Sequence, residues 1–287
     1  MPLNHRLVEQ FDSLSPQLQN AAKYVSDNPE QVATESMRKV AKASNISPPT
    51  FTRLAKALGL EGFNELKELC RQTLQERHST FADKAKALQK YQAGGPLADK
   101  GTFVIAQAAA TIDNIQSMVD KLDLPQLTAA CDTLVNAENV YVLGGLSSQF
   151  FADYFNYMGA MAFRSWHTLD LVRQSIGAST ARITPKDCLV VISMHPYSKE
   201  VVKVANRCAE NGVDVIALSD QELSPIGKTA KYHFTASTHS PQFFASYTAS
   251  LVLLEAMMGM VVRRGGAQSQ RHIENVEKLN QENDTYW

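Results

Sequence analysis

The stretch VVISMHPYSKEVV, Val190–Val202, decides the fold class of this chain. It begins with consecutive β-branched residues, which are typical of a strand that is buried on both faces. A polar loop of serine, histidine and tyrosine follows, and a helix is predicted after the loop. The loop alone is compatible with a catalytic cluster, with a cradle for a small ligand and with a plain polar turn. The rest of the chain has to distinguish these three.

Other short apolar runs surround this one in the C-terminal two thirds of the chain. They are NVYVLGG (139–145), MAFRSW (161–166), CLVVIS (188–193), VDVIALSD (213–220) and KYHFTAS (231–237). A helical stretch, 102–137, precedes them, and most are separated by helical patterns of ten or more residues. Strands that alternate with helices predict βαβ units and a parallel sheet covered on both faces. Because parallel crossovers are right-handed, we predict a doubly wound α/β domain.

Hydroxyl groups are concentrated in the loops that follow three of these strands. The loops after Leu143, Ile192 and Leu218 read GGLSS, SMHPYS and SD. The carboxyl ends of parallel strands meet at one edge of the sheet, and such folds bind ligands there. We therefore expect one ligand site at this edge, with Ser219 and Tyr197 at its rim. The alternatives are that the serines only cap helices and that Tyr197 only packs over the loop.

The first seventy-odd residues read as helical and contain a helix-turn-helix pattern in MRKVAKASNISPPTFTRLAKALG, Met37–Gly59. The first helix of the pattern is short and amphipathic, with Val40 and Ala41 facing inward. ASNIS forms the tight turn, Ser47 is the N-cap of the second helix, and Pro48 occupies its first position. Two short helices joined in this way place the second one in the major groove of DNA.

This helical pair is basic although the whole chain has a formal net charge of −1. Between Arg38 and Lys56 there are five basic residues and no acidic one. A local basic surface indicates phosphate and base contacts, whereas a solvated basic face is the plain alternative. The candidate DNA-binding residues are Arg38, Lys39, Ser47, Thr50, Thr52, Arg53 and Lys56.

Length and composition fit a two-domain globular protein. We predict a helix-turn-helix domain over 1–77, a linker over 78–103 that contains glycines and Pro96, and an α/β domain over 104–287. The four scattered cysteines form no metal-ligand or CxxC spacing, so no metal and no cofactor is predicted. No secretion signal is recognised at the N-terminus, and the apolar run 243–262 is interpreted as a core or interface helix rather than a membrane span. We therefore expect a cytoplasmic protein.

The segment SMRKVAKASNISPPTFTRLAKALGLEGFNELK, residues 36–67, resembles the N-terminal helix-turn-helix of the RpiR family of bacterial transcription regulators. The shared features are the Ile-Ser-Pro-x-Thr start of the second helix, its arginine, and the closing LG-x-x-GF-x-x-x-K. Pro49 is one proline more than is usual at that helix start. The C-terminal part resembles the sugar isomerase (SIS) domain by which these regulators sense an effector, including the helix that leads into NVYVLGGLSS.

This resemblance implies a phosphosugar site built from two serine-rich loops. The first loop corresponds to Gly145, Ser147 and Ser148, at a helix N-terminus that suits an anion. The second loop usually reads Ser-x-Ser-Gly-x-Ser/Thr, and here only its serines Ser193 and Ser198 match. His195 and Pro196 depart from that pattern. His195 supplies an imidazole donor, whereas Pro196 removes a main-chain N–H.

The sequence therefore predicts a transcription regulator, and not an enzyme, whose affinity for double-stranded operator DNA is controlled by a small phosphorylated or carboxylated sugar-like effector. A homodimer or homotetramer is expected, with the lead-in helix and the apolar helix 251–262 as interfaces, because one helix-turn-helix contacts too little DNA for strong specificity. The alternative is a SIS-type aldose–ketose isomerase in which His195 opens the sugar ring and a carboxylate is the base. Glu200 is the nearest carboxylate in sequence.

Overall fold

The computed structural model describes residues 3–11, 13–78, 80–92, 102–171 and 175–285. The chain divides into two compact units, Met1–Tyr91 and Gln92–Trp287. The predicted order, a helical unit followed by a parallel α/β unit, is confirmed.

The first unit is helical throughout its described residues. Its helices are α1 (Leu3–Phe11), α2 (Pro16–Asp27), α3 (Pro29–Thr34), α4 (Met37–Ser44), α5 (Pro48–Ala57), α6 (Phe63–His78) and α7 (Phe81–Gln92), the last of which ends at the unit boundary. Phe51 and Leu54 of α5 are completely buried, and the Phe51 ring meets those of Tyr24 and Phe63 edge-on. Helix α5 is therefore anchored by its inner face, which leaves its outer face available to solvent.

Three positively charged side chains of this unit donate hydrogen bonds to carbonyl groups at helix ends. Arg6 donates to the carbonyl oxygen of Leu58 (2.9 Å), beyond the last residue of α5. Lys67 donates to the carbonyl oxygen of Glu35 (2.9 Å) and Arg71 to that of Ala33 (3.1 Å), both at the end of α3. Cations at helix C-termini satisfy unpaired carbonyl groups and oppose the helix dipole.

Helix α7 lies inside the range 78–103 that we predicted as a linker. Its start is capped reciprocally: the Thr80 hydroxyl accepts from the Asp83 N–H (3.1 Å), and the Asp83 carboxylate accepts from the Thr80 N–H (3.2 Å). This pairing of N-cap and N3 residues stabilises a first helical turn. The glycines of the predicted linker and Pro96 lie outside the described residues.

The second unit is a three-layer α/β structure. Its elements are α8 (Thr102–Asp120), α9 (Leu124–Asn136), β1 (Val140–Gly144), α10 (Gln149–Ala162), β2 (Trp166–Thr168), α11 (Ile176–Thr180), β3 (Cys188–Ile192), α12 (Lys199–Glu210), β4 (Asp214–Ser219), β5 (Tyr232–Thr235) and α13 (Thr248–Glu282). The strands are parallel in the order β2-β1-β3-β4-β5. Helices α9, α10 and α13 cover one face of the sheet, and α12 packs on the other.

The strand order identifies the edge where a ligand is expected. From β1 the chain crosses outward to β2 and then returns to β3 on the other side of β1. The loops after β1 and β3 consequently lead to helices on opposite faces of the sheet. This arrangement is a topological switch point, which leaves a crevice at the carboxyl ends of the strands. This sheet order brings the two predicted serine loops next to each other.

The apolar run 243–262 contributes a helix to the core. Helix α13 starts within it, at Thr248, and buries Leu253, Met257 and Val261 against the sheet. None of the helices in the described ranges is long and apolar enough to cross a bilayer.

Candidate functional site

A glycine brings the loop after β1 into contact with the start of α12. Gly144 ends β1, and Gly145 leads into a short 3-10 turn, Leu146–Ser148. A Cβ atom at Gly145 would lie 2.6 Å from Val201 Cγ2, which is closer than side chains pack, and 3.0 Å from Ser198 Cβ, which is a tight contact. The missing side chain at Gly145 therefore allows the two predicted loops to touch.

Ser147 lies at the exposed tip of the first loop and contacts a tyrosine from the far end of the unit. Its hydroxyl is 3.0 Å from that of Tyr247, which immediately precedes α13. The Tyr247 ring is half-buried, edge-on to Phe151 and Phe244. Burial raises the pKa of Tyr247, and the hydrogen bond with Ser147 opposes that rise. Tyr247 is not predictable as a site residue from the sequence, because a tyrosine at the start of an apolar helix carries no local mark of a site.

The remaining serines of the two loops differ in what they can offer a ligand. Ser148 and Ser193 are almost completely buried. The Ser148 N–H donates to the Gly145 carbonyl (3.0 Å), and the Ser193 N–H donates to the Leu218 carbonyl (3.1 Å), so both main-chain donors are already used. Ser198 is the N-cap of α12 and accepts a hydrogen bond from the first turn (3.5 Å), which leaves its own proton to donate.

The second loop is tied to a carboxylate that the sequence analysis did not select. The Tyr197 hydroxyl donates to Asp220 Oδ1 (2.5 Å) and accepts from Gln221 Nε2 (2.8 Å). The His195 N–H donates to the same Asp220 oxygen (3.3 Å), while the His195 side chain is exposed. These contacts join the loop after β3 to the loop after β4. Asp220 directly follows Ser219, the residue that we predicted at the rim of the site, and this position is the only indication of its role in the sequence.

Ser219 does not face the ligand edge as predicted. Its side chain is completely buried, and its hydroxyl donates to the Gln221 carbonyl (2.9 Å) and lies 2.7 Å from His233 Nε2. Ser224 also lies 3.3 Å from that nitrogen. Ser219 is therefore part of a polar network with Ser224 and His233 of β5. Alternation along β4 places its side chain on the same covered face of the sheet as Val215 and Ala217.

The strand-end site therefore offers hydroxyl donors from Ser147 and Ser198 and a phenol from Tyr247, beside the carboxylate of Asp220. Such groups bind anions and hydroxyl groups. In the described part of the chain, no three His, Cys, Asp or Glu side chains are grouped as ligands for a metal ion. Glu200, the nearest carboxylate in sequence for the isomerase alternative, is exposed in the first turn of α12.

The first unit carries the second candidate surface, on the predicted helix-turn-helix. Helix α4 ends at Ser44 and is followed by its C-cap Asn45, whose φ of 55° turns the chain, and α5 starts with Pro48 after the N-cap Ser47. Most candidate DNA-binding side chains are exposed, namely Arg38, Lys39, Ser47, Arg53 and Lys56. Thr52 is partly exposed, and its hydroxyl lies 3.6 Å from Met37 Sδ.

Thr50 departs from the prediction, because its side chain is completely buried. Its hydroxyl lies 2.8 Å from that of Ser47 and accepts a weak hydrogen bond from Arg53 (3.5 Å). Arg53 also donates to Gln17 of α2 (3.1 Å). Thr50 thus stabilises the turn and supports Arg53 rather than reaching DNA itself.

Two family models match the chain, one in each unit. Residues 1–77 match the helix-turn-helix domain of the rpiR family, and residues 133–260 match the SIS domain. A full-length relative, the HTH-type transcriptional regulator HexR of Pseudomonas aeruginosa, is 26% identical over 285 residues, which is 95% of this chain and 94% of HexR. An uncharacterized HTH-type transcriptional regulator of Caldanaerobacter subterraneus subsp. tengcongensis is 25% identical over 280 residues, 94% of each chain.

The solved structure of the Vibrio vulnificus NanR protein complexed with ManNAc-6P has the same fold, with a TM-score of 0.56 and 16% identity over 97% of both chains. Fold, motifs and matches together define a helix-turn-helix transcriptional regulator with a C-terminal SIS domain. The chain belongs to the RpiR family.

Proposed function

We propose that this regulator binds a double-stranded operator through α4 and α5, and that a small anionic metabolite at the strand-end site controls its operator affinity. The metabolite is a sugar phosphate or a related sugar acid. The observation that carries this proposal is the convergence of Ser147, Ser198 and Tyr247 at the switch point of the sheet. These residues come from separate segments, and hydroxyl donors gathered at this edge suit an anion.

The hydrogen-bonding roles of these hydroxyls support an anionic ligand. Ser198 uses its oxygen to cap α12, so its proton is available to a ligand. When Tyr247 donates to Ser147, the Ser147 proton is available in the same way. The N-terminus of α12 adds a favourable dipole, and the exposed His195 ring adds a donor nearby. The ligand in the NanR structure makes phosphorylated sugars the first compounds to test.

The ligand is to be found with a thermal-shift panel of hexose phosphates, pentose phosphates, sugar acids and inorganic phosphate, because a bound ligand raises the melting temperature by mass action. The best compound is then titrated calorimetrically into wild type, Ser147→Ala and His195→Ala. Loss of one charge-assisted hydrogen bond is expected to cost about 1.5–3 kcal/mol, or roughly ten- to a hundredfold in affinity. Thr229→Ala, which removes an exposed hydroxyl before β5 at the opposite edge, is the matched control.

The same variants are to be tested in an electrophoretic shift with promoter DNA. We expect normal operator affinity without ligand and a shifted response to ligand, because an effector acts through its different affinity for two states of the protein. Wild-type ligand affinity in both site variants would refute the proposed site. Turnover of a sugar phosphate in the same panel would favour the isomerase alternative instead.

A further inference from the structure

Asp220 places an acidic group at an edge where an anion is proposed to bind. The carboxylate follows β4 directly and is only partly exposed. Its Oδ1 atom accepts hydrogen bonds from the Tyr197 hydroxyl (2.5 Å) and from the His195 N–H (3.3 Å). An ionised carboxylate repels an anion, so its position in such a site needs a separate explanation.

The carboxylate is held in one orientation by a directed chain of hydrogen bonds. Gln221 Nε2 donates to the Tyr197 oxygen (2.8 Å), so the Tyr197 proton is directed toward Asp220. The hydrogen bonds from the Tyr197 hydroxyl and from the His195 N–H both go to Oδ1 of Asp220. Within the described residues, Oδ2 accepts no hydrogen bond. A carboxylate whose one oxygen is fixed presents the other at a defined place, which is the arrangement of a recognition group.

Asp220 lies near the proposed anion-binding groups. The His195 N–H that it accepts belongs to the loop after β3, the same loop that ends at Ser198. Burial is the main cause of the raised pKa of Tyr247, and the negative charge of Asp220 raises this pKa further. The Tyr247 hydroxyl contacts Ser147. The loop after β3 therefore joins Asp220 to Ser198, one of the proposed anion-binding groups.

We propose that Asp220 is a specificity-determining residue, whose carboxylate accepts a hydrogen bond from a hydroxyl group of the ligand that binds its anionic group at Ser147 and Ser198. The proposal rests on the proposed function of this site. An ionised carboxylate is only an acceptor, so it favours a ligand that carries hydroxyl donors beside a single anionic group. It disfavours inorganic phosphate and ligands with an acidic group at both ends, because these leave the carboxylate unpaired next to a second negative charge.

The test compares how Asp220→Asn changes the affinity for a sugar phosphate and the affinity for inorganic phosphate. Asp220→Asn is nearly isosteric and keeps an acceptor for Tyr197, but it removes the charge. Fructose 6-phosphate or ManNAc-6P, whichever binds the wild type more tightly, is to be titrated by calorimetry in parallel with inorganic phosphate. We expect the sugar phosphate to bind roughly tenfold more weakly to Asp220→Asn, because a charge-assisted hydrogen bond is lost. Inorganic phosphate is expected to bind equally well or more tightly, because a repulsive charge is gone.

Glu222→Gln is the matched control. It removes a negative charge two residues away, on an exposed side chain that bonds to Thr235 instead of to the site. We expect it to leave the preference for the sugar phosphate over inorganic phosphate unchanged. Tyr197→Phe is a second variant with an intact Asp220, and it is expected to weaken the sugar phosphate less than Asp220→Asn does, because only the orientation of the carboxylate is relaxed. Melting curves of each variant establish that it is folded.

The outcomes separate this inference from the proposed function. If both probes bind Asp220→Asn more tightly than wild type, the carboxylate is only repulsive and the inference is wrong, while the anion site stands. If Glu222→Gln changes the preference as Asp220→Asn does, the effect is one of general charge and the inference is equally wrong. If no phosphorylated probe and no sugar acid binds the wild type, the proposed function and the inference fail together.

Discussion

At the scale of single residues, the two exposed basic side chains of α5 differ in how they are held. Arg53 is exposed and is held by Gln17 and Thr50, whereas Lys56 is exposed three residues further along the same helix. A guanidinium group fixed by two partners is suited to a directional contact, such as a base edge. A flexible ammonium group is suited to a phosphate.

We expect Arg53→Ala to weaken specific operator binding by about 1–3 kcal/mol while nonspecific binding changes less. Lys56→Ala is expected to weaken binding to all sequences and to reduce the salt-dependence slope by about one unit, because one phosphate contact is lost. Fluorescence anisotropy with operator and scrambled DNA over a salt series measures both effects. Lys84→Ala, on an exposed position of α7, is the control for removing one positive charge. Unchanged operator affinity in both test variants would contradict the assignment of α5 as the recognition helix.

At the scale of elements, β5 is held by a partly buried histidine and by the helix beside it. The His233 N–H, on the outer edge of the sheet, donates to Gln126 Oε1 of α9 (2.9 Å), so this main-chain group is satisfied without another strand. On its other side the His233 ring meets Ser219 and Ser224. A Cβ atom at Gly227 would lie 2.3 Å from the ring, so the ring is enclosed.

Burial lowers the pKa of His233, although Glu222 and Asp220 oppose the shift with their negative charges. The folded state therefore keeps this ring neutral at a pH where the unfolded chain, with an ordinary histidine pKa of about 6.5, already binds a proton. We expect the second unit to lose stability as the pH falls below about 6.5, with full stability above it. Melting temperatures over a pH series should show this loss in wild type and a smaller loss in His233→Gln. His239→Gln, an exposed histidine of the same unit, should behave like wild type; equal slopes in all three proteins would exclude this origin.

At the scale of the whole molecule, an unpartnered apolar face lies on α8. Val104, Ile105, Ile112 and Val119 are more than half exposed on this helix. Large exposed apolar surfaces mark sites of association, and a regulator with one helix-turn-helix per chain needs a partner to contact two half-sites. The other interface that we predicted, the helix 251–262, directs its apolar face into its own core. Helix α8 is therefore the better candidate for the interface.

We expect the protein to be at least a dimer at micromolar concentration, with recognition helices that fit half-sites roughly 34 Å apart. The double variant Ile105→Lys and Ile112→Lys should reduce it to a monomer, because charges at the centre of an apolar interface are costly to desolvate. Both positions are exposed, so the fold of the unit should be retained. Light scattering of the variant, beside Thr128→Lys on the exposed face of α9, measures the change. A wild-type monomer, even with operator DNA present, would refute the prediction.

Local pattern was enough to predict most of the elements. Four of the apolar runs form β1, β3, β4 and β5, and the turn between Lys42 and Pro48 was located from the residues themselves. These features depend on propensities and on periodicities of two and 3.6 residues, which a single sequence displays. The parallel arrangement of the strands was predicted from their alternation with helices, and with it the edge that carries the loops.

The tertiary structure decided which of the selected side chains face that edge and which distant ones join them. Thr50 and Ser219 are hydroxyl residues at plausible positions, but both are completely buried, because burial at the end of an element depends on what packs over it. Tyr247 and Asp220 reach the site from segments far along the chain, through contacts with Ser147 and Tyr197. Sequence periodicity reports which face of one element is apolar, whereas the meeting of separate loops depends on strand order, on close approach at a glycine and on packing between elements, and no local pattern encodes these.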